Sequence, residues 1–181
     1  VSTPIGNLDD ISLRAIEVLG NSDIVLCEDT RRSLKLLNHL KIKKKLVSYH
    51  KFNEQKELEK IIRYLNEGKI LSLISDAGTP SLSDPGRLLI QTCLKNNIKV
   101  VPIPGVSSIT ASMSVSGFND KFLFYGFLPK TEKELEKILS SLCLLSFSQV
   151  FFIPAIKINF YLKQFKIFFS GRKILVAREI T

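Results

Sequence analysis

Residues 70–86, ILSLISDAGTPSLSDPG, decide how the chain folds. The run from Ile70 to Ile74 is apolar without helical spacing, which predicts a strand buried on both faces. Gly78 permits a positive φ, and Pro80 fixes its own φ and disfavours helix in the residue before it. Ser83-Asp84-Pro85 is typical of an N-cap followed by proline in the first helical turn. The stretch therefore predicts a strand, a small-residue loop and a helix.

Strand and helix alternate on both sides of this stretch. Strands are predicted at residues 1–3, 23–28, 46–49 and 98–103. Helices are predicted after Asp9 and Asp10, after Asp29, from Asn53 to Asn66, from Pro85 to Asn97, and after Ser107 or Ser108. This alternation favours a parallel sheet covered on both faces. Ligands of such sheets bind outside the carboxyl ends of the strands, although an ordinary strand-to-helix connection is the alternative for loop 75–80.

The pattern changes near residue 116. Strands are predicted at FLFYGFL (122–128), VFFI (150–153) and KILVARE (173–179), with a capping box at Thr131 to Glu134 and a helix at 155–165. We therefore predict an N-terminal α/β domain at residues 1–116 and a C-terminal α/β domain at residues 120–181. A second sheet of two or three strands would be incomplete, so that domain is expected to be truncated.

Composition narrows the class of protein. Hydrophobic residues make up 45% and charged residues 24% of the 181 residues, as in globular proteins. The net charge of +9 favours an anionic partner such as nucleic acid, or reflects a lysine-rich composition without functional meaning. No apolar run approaches the ~18 residues of a membrane span. VSTPIGNLDD has no signal peptide, and because Val1 looks like the interior of a strand, residues are expected to precede it.

Cysteine and histidine usage argues against a metal site. The three cysteines are far apart in apolar contexts, and no CxxC motif is present. His39 and His50 are the only histidines. We therefore expect no metal, no disulfide framework and a reducing, cytoplasmic location.

Four short motifs carry a resemblance when they are taken together and in order. They are TPIGNLDDIS (3–12), CEDTR (27–31), SDAGTPSLSDPG (75–86) and PGVSS (104–108). With YHKFNE (49–54), FLFYGFLP (122–129) and AREIT (177–181), the chain resembles the ribosomal RNA small-subunit methyltransferases that modify a cytidine 2′-hydroxyl, a family of the tetrapyrrole methylase superfamily. The resemblance covers nearly the whole chain.

This resemblance implies two α/β domains with a cleft that binds S-adenosylmethionine (SAM), and a homodimer. Carried over by position, the residues expected to contact SAM are Pro4, Gly6, Asp76, Ala77, Gly78, Thr79, Ser107, Ser108, Phe152, Ile153 and Ala177. Asp76 suits the positive amine and sulfonium of SAM, and N–H groups after Gly105 suit its carboxylate. An Asx turn at Asp76 and helix capping by Ser107 and Ser108 are the alternatives.

Three features depart from the family. The family pattern FYESPHR would fall on residues 151–157, which here read FFIPAIK, so its glutamate, serine and histidine are absent. Phe52 also replaces the second histidine of the family's YHxHNE. The family's chain continues beyond AREIT. These departures put the contribution of the second domain to the site in question.

The CEDTR motif supplies the catalytic candidates, which are Glu28, Asp29 and Arg31. Glu28 or Asp29 could remove the proton of the acceptor hydroxyl, with His50 as a weaker candidate. The alternative is that Asp29 only caps the next helix and that Glu28 only pairs with Arg31.

Basic residues near this motif predict RNA binding. The candidates for phosphate contacts are Arg31, Arg32, Lys35, Lys43, Lys44 and Lys45, and a solvated basic face is the alternative. Tyr49, Phe52 and Tyr125 could stack on bases, with core packing as the alternative for Phe52 and Tyr125.

We expect a SAM-dependent methyltransferase that acts on a cytidine 2′-hydroxyl in the decoding region of 16S rRNA, within the small ribosomal subunit. One alternative is C-methylation of a porphyrin or corrin precursor. The other is a SAM- or RNA-binding protein that has lost catalysis.

Overall fold

All residues from 1 to 181 are described by the structure, which is a computed structural model. The chain groups into two units, Val1–Ser108 with Glu179–Thr181, and Ile109–Arg178. Each unit holds a parallel sheet and helices, which confirms the predicted α/β class. The division into domains 1–116 and 120–181 stays a prediction.

The sheet of the first unit has three parallel strands, β1 (Ile24–Cys27), β2 (Lys45–Ser48) and β3 (Leu71–Leu73). Their order is β2-β1-β3, with Leu26 of β1 opposite Val47 and Leu73. Every residue of the central strand β1 is buried. Because the strands are parallel, their carboxyl ends share one edge, and the residues that follow the strands lie there.

Helices cover both faces of this sheet. They are α1 (Leu13–Asn21), α2 (Thr30–His39), α3 (Glu54–Asn66) and α4 (Arg87–Lys95). A further helix, α5 (Ser108–Ser114), begins at the last residue of the stretch Val1–Ser108 and continues into the second unit. Val25 and Cys27 pack with Leu19 of α1 and Leu37 of α2 on one face. Ile24 and Leu26 pack with residues of α3 and α4 on the other. Each fully buried Leu or Ile stabilises the fold by about 1.5–3 kcal/mol, so β1 is the anchor of the unit.

The sheet is shorter than the sequence predicts. Residues 98–103 were predicted as a strand and form none, and residues 1–3 make only a single bridge, Thr3 to Gly78. The amide of Ser2 donates to the carbonyl of Ile103 at 3.1 Å, and one such bond is too little for a ladder. Ile70 is 57% exposed and lies outside β3, so the predicted burial of the whole run 70–74 is also wrong.

Two predicted caps are wrong. Ser12 rather than Asp9 or Asp10 caps α1, because residues 8–10 form a separate 3₁₀ turn. The N-cap of α4 is Gly86, with φ of 132°, and neither Ser83 nor Asp84 caps it. The loop from β3 to α4 is therefore longer than predicted, and Asp84 is free for another role.

The second unit contains β4 (Phe122–Phe127), β5 (Ser148–Phe152), α6 (Glu132–Leu142), a 3₁₀ turn (Ala155–Lys157) and α7 (Ile158–Phe168). Its two strands are parallel, and its core joins Leu135 and Leu139 of α6 to Tyr161 and Phe165 of α7. Thr131 precedes α6 as predicted, but its hydroxyl donates to the carboxylate of Glu134 at 2.6 Å instead of capping the backbone.

The predicted strand KILVARE is wrong, since residues 173–179 form no strand. Ile174, Leu175 and Val176 are each about half exposed. Apolar and β-branched residues favour a strand only where an edge is available to pair with them. No helix in the structure has the length and apolar character that a membrane span requires.

Candidate active site

The first loop, after Thr3, contacts the loop that follows β3. Thr3 and Gly78 exchange two backbone hydrogen bonds, each of 2.9 Å. The hydroxyl of Thr3 donates to the carbonyl of Ser75 at 3.1 Å, and the hydroxyls of Ser2 and Thr79 are 3.0 Å apart. These polar groups are buried or half-buried, so the bonds hold the loops in one arrangement.

Loop 104–108 joins them. The hydroxyl of Thr79 donates to the carbonyl of Val106 at 3.4 Å. A Cβ added at Gly105 would lie 2.9 Å from Cβ of Ser2, which is closer than side chains approach one another. Gly78 has φ of +82°, and a Cβ there would touch Ile5 at 3.4 Å. Glycine is therefore required at 105 for space and favoured at 78 for conformation.

The CEDTR segment after β1 completes the arrangement. The amide of Asp29 donates to Oδ1 of Asp76 at 3.1 Å, and the guanidinium of Arg32 lies 3.4 Å from Oδ2 of the same residue. We call the four joined segments, residues 2–6, 28–32, 75–79 and 105–106, the loop cluster. They are distant along the chain, and the structure brings them together at the carboxyl ends of the strands.

Asp29 is fully engaged with its own helix. Its carboxylate accepts from the amide of Arg31 at 2.9 Å as the N-cap of α2, and it forms an ion pair with the guanidinium of Arg31, also at 2.9 Å. The hydrogen bonds from Arg31 lower the pKa of Asp29 to about 2. Such a weak base fits the capping role that the sequence left open, and fits proton removal poorly.

Glu28 is placed differently. The sequence alternative paired it with Arg31, which is wrong because Arg31 pairs with Asp29. Neither a hydrogen bond nor an ion pair engages Glu28, which is half-buried. Burial and the charge of Asp76 raise its pKa, against the opposing influence of His50 and Arg32.

Asp84 is a residue that sequence reasoning treated only as a possible cap. It is half-buried, and burial together with the charges of Glu28 and Asp76 raises its pKa to about 6. Its position in SDPG, directly after the candidate binding loop, was the available signal. No group of three or more His, Cys, Asp or Glu side chains in the structure is arranged to hold a metal ion.

Among the other predicted SAM residues of the first unit, Pro4, Gly6 and Ala77 belong to the loop cluster, and Ser107 and Ser108 directly follow it. Pro4 is buried beside Thr3, and Gly6 is exposed at the end of its loop, where an added Cβ would collide with the hydroxyl of Thr181. Ala77 is exposed next to Asp76. Ser107 and Ser108 are half-buried at the start of α5.

Three predicted SAM residues belong to the second unit. Phe152 ends β5 and packs edge-on against Phe124, with ring centroids 5.0 Å apart. Ile153 packs on the core of that unit. Ala177 is exposed in the irregular segment 173–179, which corrects its expected place on a strand.

The predicted RNA residues lie on α2 and the connection to β2. Arg31, Arg32, Lys35, Lys43 and Lys45 are exposed, and Lys44 is half-buried. The two arginines also reach back to Asp29 and Asp76, whereas the ammonium of Lys45 lies 5.5 Å from the ring centre of Tyr64.

Among the aromatic candidates, Tyr49 is completely buried and cannot stack on a base. Phe52 is 93% exposed, so core packing is wrong for it, and Tyr125 is 38% exposed.

Sequence comparison shows what the chain is similar to. The family model described as Tetrapyrrole (Corrin/Porphyrin) Methylases matches residues 1–145. A ribosomal RNA small subunit methyltransferase I from Mesomycoplasma conjunctivae is 47% identical over 94% of this chain and 68% of its own length. Proteins of the same name from Rickettsia prowazekii and Thermotoga maritima are 47% and 41% identical over the whole of this chain. The chain spans 65% and 82% of their lengths.

Solved structures share the fold at low sequence identity. A cobalt precorrin-4 methyltransferase, a cobalamin biosynthetic enzyme, aligns with a TM-score of 0.68 at 16% identity over 94% of this chain and 74% of its own. A uroporphyrin-III C-methyltransferase from Thermus thermophilus aligns with a TM-score of 0.62 at 18% identity, over 96% and 76%. At these identities the likeness concerns the fold alone.

Proposed function

Because the chain belongs to the tetrapyrrole methylase family, and within it to the ribosomal RNA small subunit methyltransferase I group, we propose that it transfers the methyl group of SAM to ribosomal RNA. The acceptor we propose is the 2′-hydroxyl of a cytidine in the decoding region of 16S rRNA. The observation that carries this proposal is the loop cluster, in which four motifs of that group meet at one sheet edge.

The loop cluster fits the methionine end of SAM. SAM supplies an electrophilic methyl group on a sulfonium, next to an amine and a carboxylate. Asp76 places a carboxylate at the cluster that suits the positive amine and sulfonium. Ala77 and Gly78 keep side chains short where a ligand meets the backbone, and Thr79 adds a hydroxyl. Pro4, Gly6, Ser107 and Ser108 are the proposed neighbours on either side of this loop.

We assign the adenine side of SAM to residues of the second unit. Phe152, Ile153 and Ala177 are the proposed walls, on the family resemblance. Phe152 offers an aromatic ring, which stacks well on a purine. FFIPAIK has no carboxylate, hydroxyl or imidazole side chain, and the three proposed wall residues are all apolar.

The CEDTR segment is the proposed acceptor side. Glu28 has no competing partner, so it can accept a hydrogen bond from the ribose and fix its orientation. Asp29 and Arg31 bind each other and hold the first turn of α2, which places Glu28 at the cluster. Alignment of the hydroxyl with the methyl group is the main contribution of the protein to an in-line displacement.

The basic side chains of α2 and of residues 41–45 are proposed to bind RNA phosphates, which gives affinity without sequence preference. Exposed Phe52 is the proposed stacking residue for an unpaired base. The partner would be the small ribosomal subunit, the protein a homodimer, and its location the cytoplasm.

Purified full-length protein with methyl-labelled SAM tests the reaction. Label should enter 16S rRNA of isolated small subunits and should survive as a 2′-O-methyl nucleoside after nuclease digestion. Label in a porphyrin or corrin precursor instead would replace this function with C-methylation. Binding of SAM without methyl transfer to either substrate would instead favour a SAM-binding protein that has lost catalysis.

A variant at Glu28 tests the acceptor side. Glu28→Gln keeps the size of the side chain and removes its charge, so we expect turnover on small subunits to fall by roughly tenfold or more with little change in SAM affinity. Full turnover with unchanged SAM affinity would remove Glu28 from the site.

A further inference from the structure

The loop between Pro80 and α4 is held in an uncommon conformation. Ser81 and Ser83 have φ of 69° and 66°, and Gly86 has φ of 132°. The carboxylate of Glu54 accepts a hydrogen bond of 2.9 Å from the amide of Gly86. An added Cβ at Gly86 would collide with Ser81 and with Leu73. A backbone with several left-handed residues persists only where its surroundings fix it, so Asp84 has a fixed place.

Four carboxylates lie at or beside the loop cluster, and they differ in what engages them. Asp29 binds Arg31, and Asp76 binds Arg32 and the amide of Asp29. Only electrostatic interactions and burial act on Glu28 and Asp84, and no hydrogen bond engages either one. Glu28 and Asp84 are therefore the two acids with oxygens available to a substrate.

We propose that Asp84 takes up the proton of the acceptor hydroxyl, while Glu28 orients that hydroxyl. This inference rests on the proposed function. Glu28 follows β1, and Asp84 lies in the loop that follows β3, the strand paired with β1. The charge of Asp76 acts on both Glu28 and Asp84.

Electrostatics separates the roles of the two acids. The groups that act on Asp84 are the carboxylates of Glu28 and Asp76, and both favour its protonated form. Glu28 experiences Asp76 and Asp29 as well, but His50 and Arg32 oppose them. With its pKa raised to about 6, Asp84 is ionised at neutral pH and still binds a proton well. A general base works best when its pKa lies near the working pH.

The proposed step balances without another reactant. The 2′-oxygen bonds to the methyl carbon as the bond from that carbon to sulfur breaks. The electron pair of the broken bond stays on sulfur, which becomes a neutral thioether. The hydroxyl proton passes to a carboxylate oxygen of Asp84, which becomes the carboxylic acid and later loses the proton to water.

Single-turnover methyl transfer to small subunits, measured from pH 5 to 8, tests the proposal. The wild-type rate should rise with pH, reach half of its maximum near pH 6 and level off above about pH 7. D84N should lower the rate by about 10²–10⁴-fold and remove this rise, with SAM affinity within about threefold of wild type. E28Q should keep the rise but move it to lower pH, because one negative charge beside Asp84 is gone. Glu59→Gln, an exposed acid on α3, is the matched control and should behave as wild type.

The outcomes separate this inference from the function on which it rests. If the wild type transfers no methyl group to RNA, both fail. If the wild type is active and D84N keeps its rate or its pH dependence, Asp84 is not the proton acceptor and the proposed function stands. Loss of the rise in E28Q but not in D84N would assign the proton to Glu28. If D84N does not fold, Asp84→Glu replaces it in the test, because glutamate keeps a carboxyl group. This variant must still show the rise of the transfer rate with pH, although at a reduced rate. A transfer rate that does not rise with pH in this variant would overturn the proposal.

Discussion

The end of β3 in the first unit and the end of β5 in the second unit are stabilised by different kinds of interaction. Loop 75–79, after β3, is held by hydrogen bonds and ion pairs to Thr3, Asp29 and Arg32, and it carries a carboxylate. FFIPAIK, which begins with the last two residues of β5, is held by aromatic packing, and its only ionisable side chain is Lys157. This difference is the basis for our proposal that proton transfer and charge recognition reside in the first unit and that the second unit contributes apolar surface.

The largest effect is expected from alanine substitution at Gly78, compared with the same substitution at Gly68, a glycine of nearly equal φ outside the loop cluster. Gly78 and Gly68 have φ of 82° and 81°, so alanine strains the backbone by about 1–2 kcal/mol at either position. Only Gly78 lies in the loop cluster. Gly78→Ala should weaken SAM binding by roughly tenfold to a hundredfold, since it shifts the backbone that bonds to Thr3.

Gly68→Ala is the matched control for this effect. It should lower the melting temperature to a similar extent and leave the dissociation constant for SAM unchanged in calorimetric titration. Equal losses of affinity in both variants would mean that loop 75–79 has no special part in binding.

A substitution in the second unit should lower stability and leave the proton chemistry unchanged. Phe152→Ala removes ring contacts to Phe124 and Phe127, and because Phe152 is only partly buried, the loss is about 2 kcal/mol in the free energy of unfolding. Denaturant unfolding measures this loss. The pH dependence of the transfer rate should not move, and a shift would place proton chemistry in the second unit after all.

The alternation of strands and helices was enough to predict the parallel sheet. β1 and β3 were foreseen because apolar runs between turn residues are a local signal. The predictions of strands at residues 98–103 and 173–179 were wrong for one reason. A strand forms only beside a free sheet edge, and the residues of the stretch itself do not show whether such an edge is available. Asp84 was missed for another reason. The position of its carboxylate depends on the φ values of Ser81, Ser83 and Gly86, and Gly86 is held by a hydrogen bond to Glu54, which is distant along the chain.

The unusual acid of the first unit should also appear in the pH dependence of stability. The pKa of Asp84 is raised to about 6, so the folded state binds its proton more tightly than the unfolded chain does. The free energy of unfolding should therefore fall as pH rises from about 4 to 6 and stay lower above that range.

D84N should remove the fall in the free energy of unfolding between about pH 4 and 6, because asparagine does not titrate. Above pH 6 it should exceed the wild type by about 1 kcal/mol, after allowance for solvent screening, or about 2–4 °C in melting temperature. At pH 4 the two should be nearly equal. A variant less stable than wild type at pH 7 would show that Asp84 makes a stabilising contact.

The smallest effects are expected on the basic surface. Lys35→Ala and Lys43→Ala should each weaken RNA binding by about two- to fivefold and reduce the slope of log affinity against log salt by about 1. Lys95→Ala, an exposed lysine at the end of α4, is the control. If all three change the slope equally, the net charge of the protein rather than the surface near CEDTR attracts RNA.

A crystal structure with S-adenosylhomocysteine, the demethylated product of SAM, tests the assignment of chemistry to the first unit most directly. We expect its amino group within about 2.7–3.2 Å of the carboxylate of Asp76 or of a carbonyl in residues 75–79, with Glu28 and Asp84 both facing the sulfur. A ligand bound away from the loop cluster, or an Asp84 carboxylate turned away from the sulfur, would contradict it.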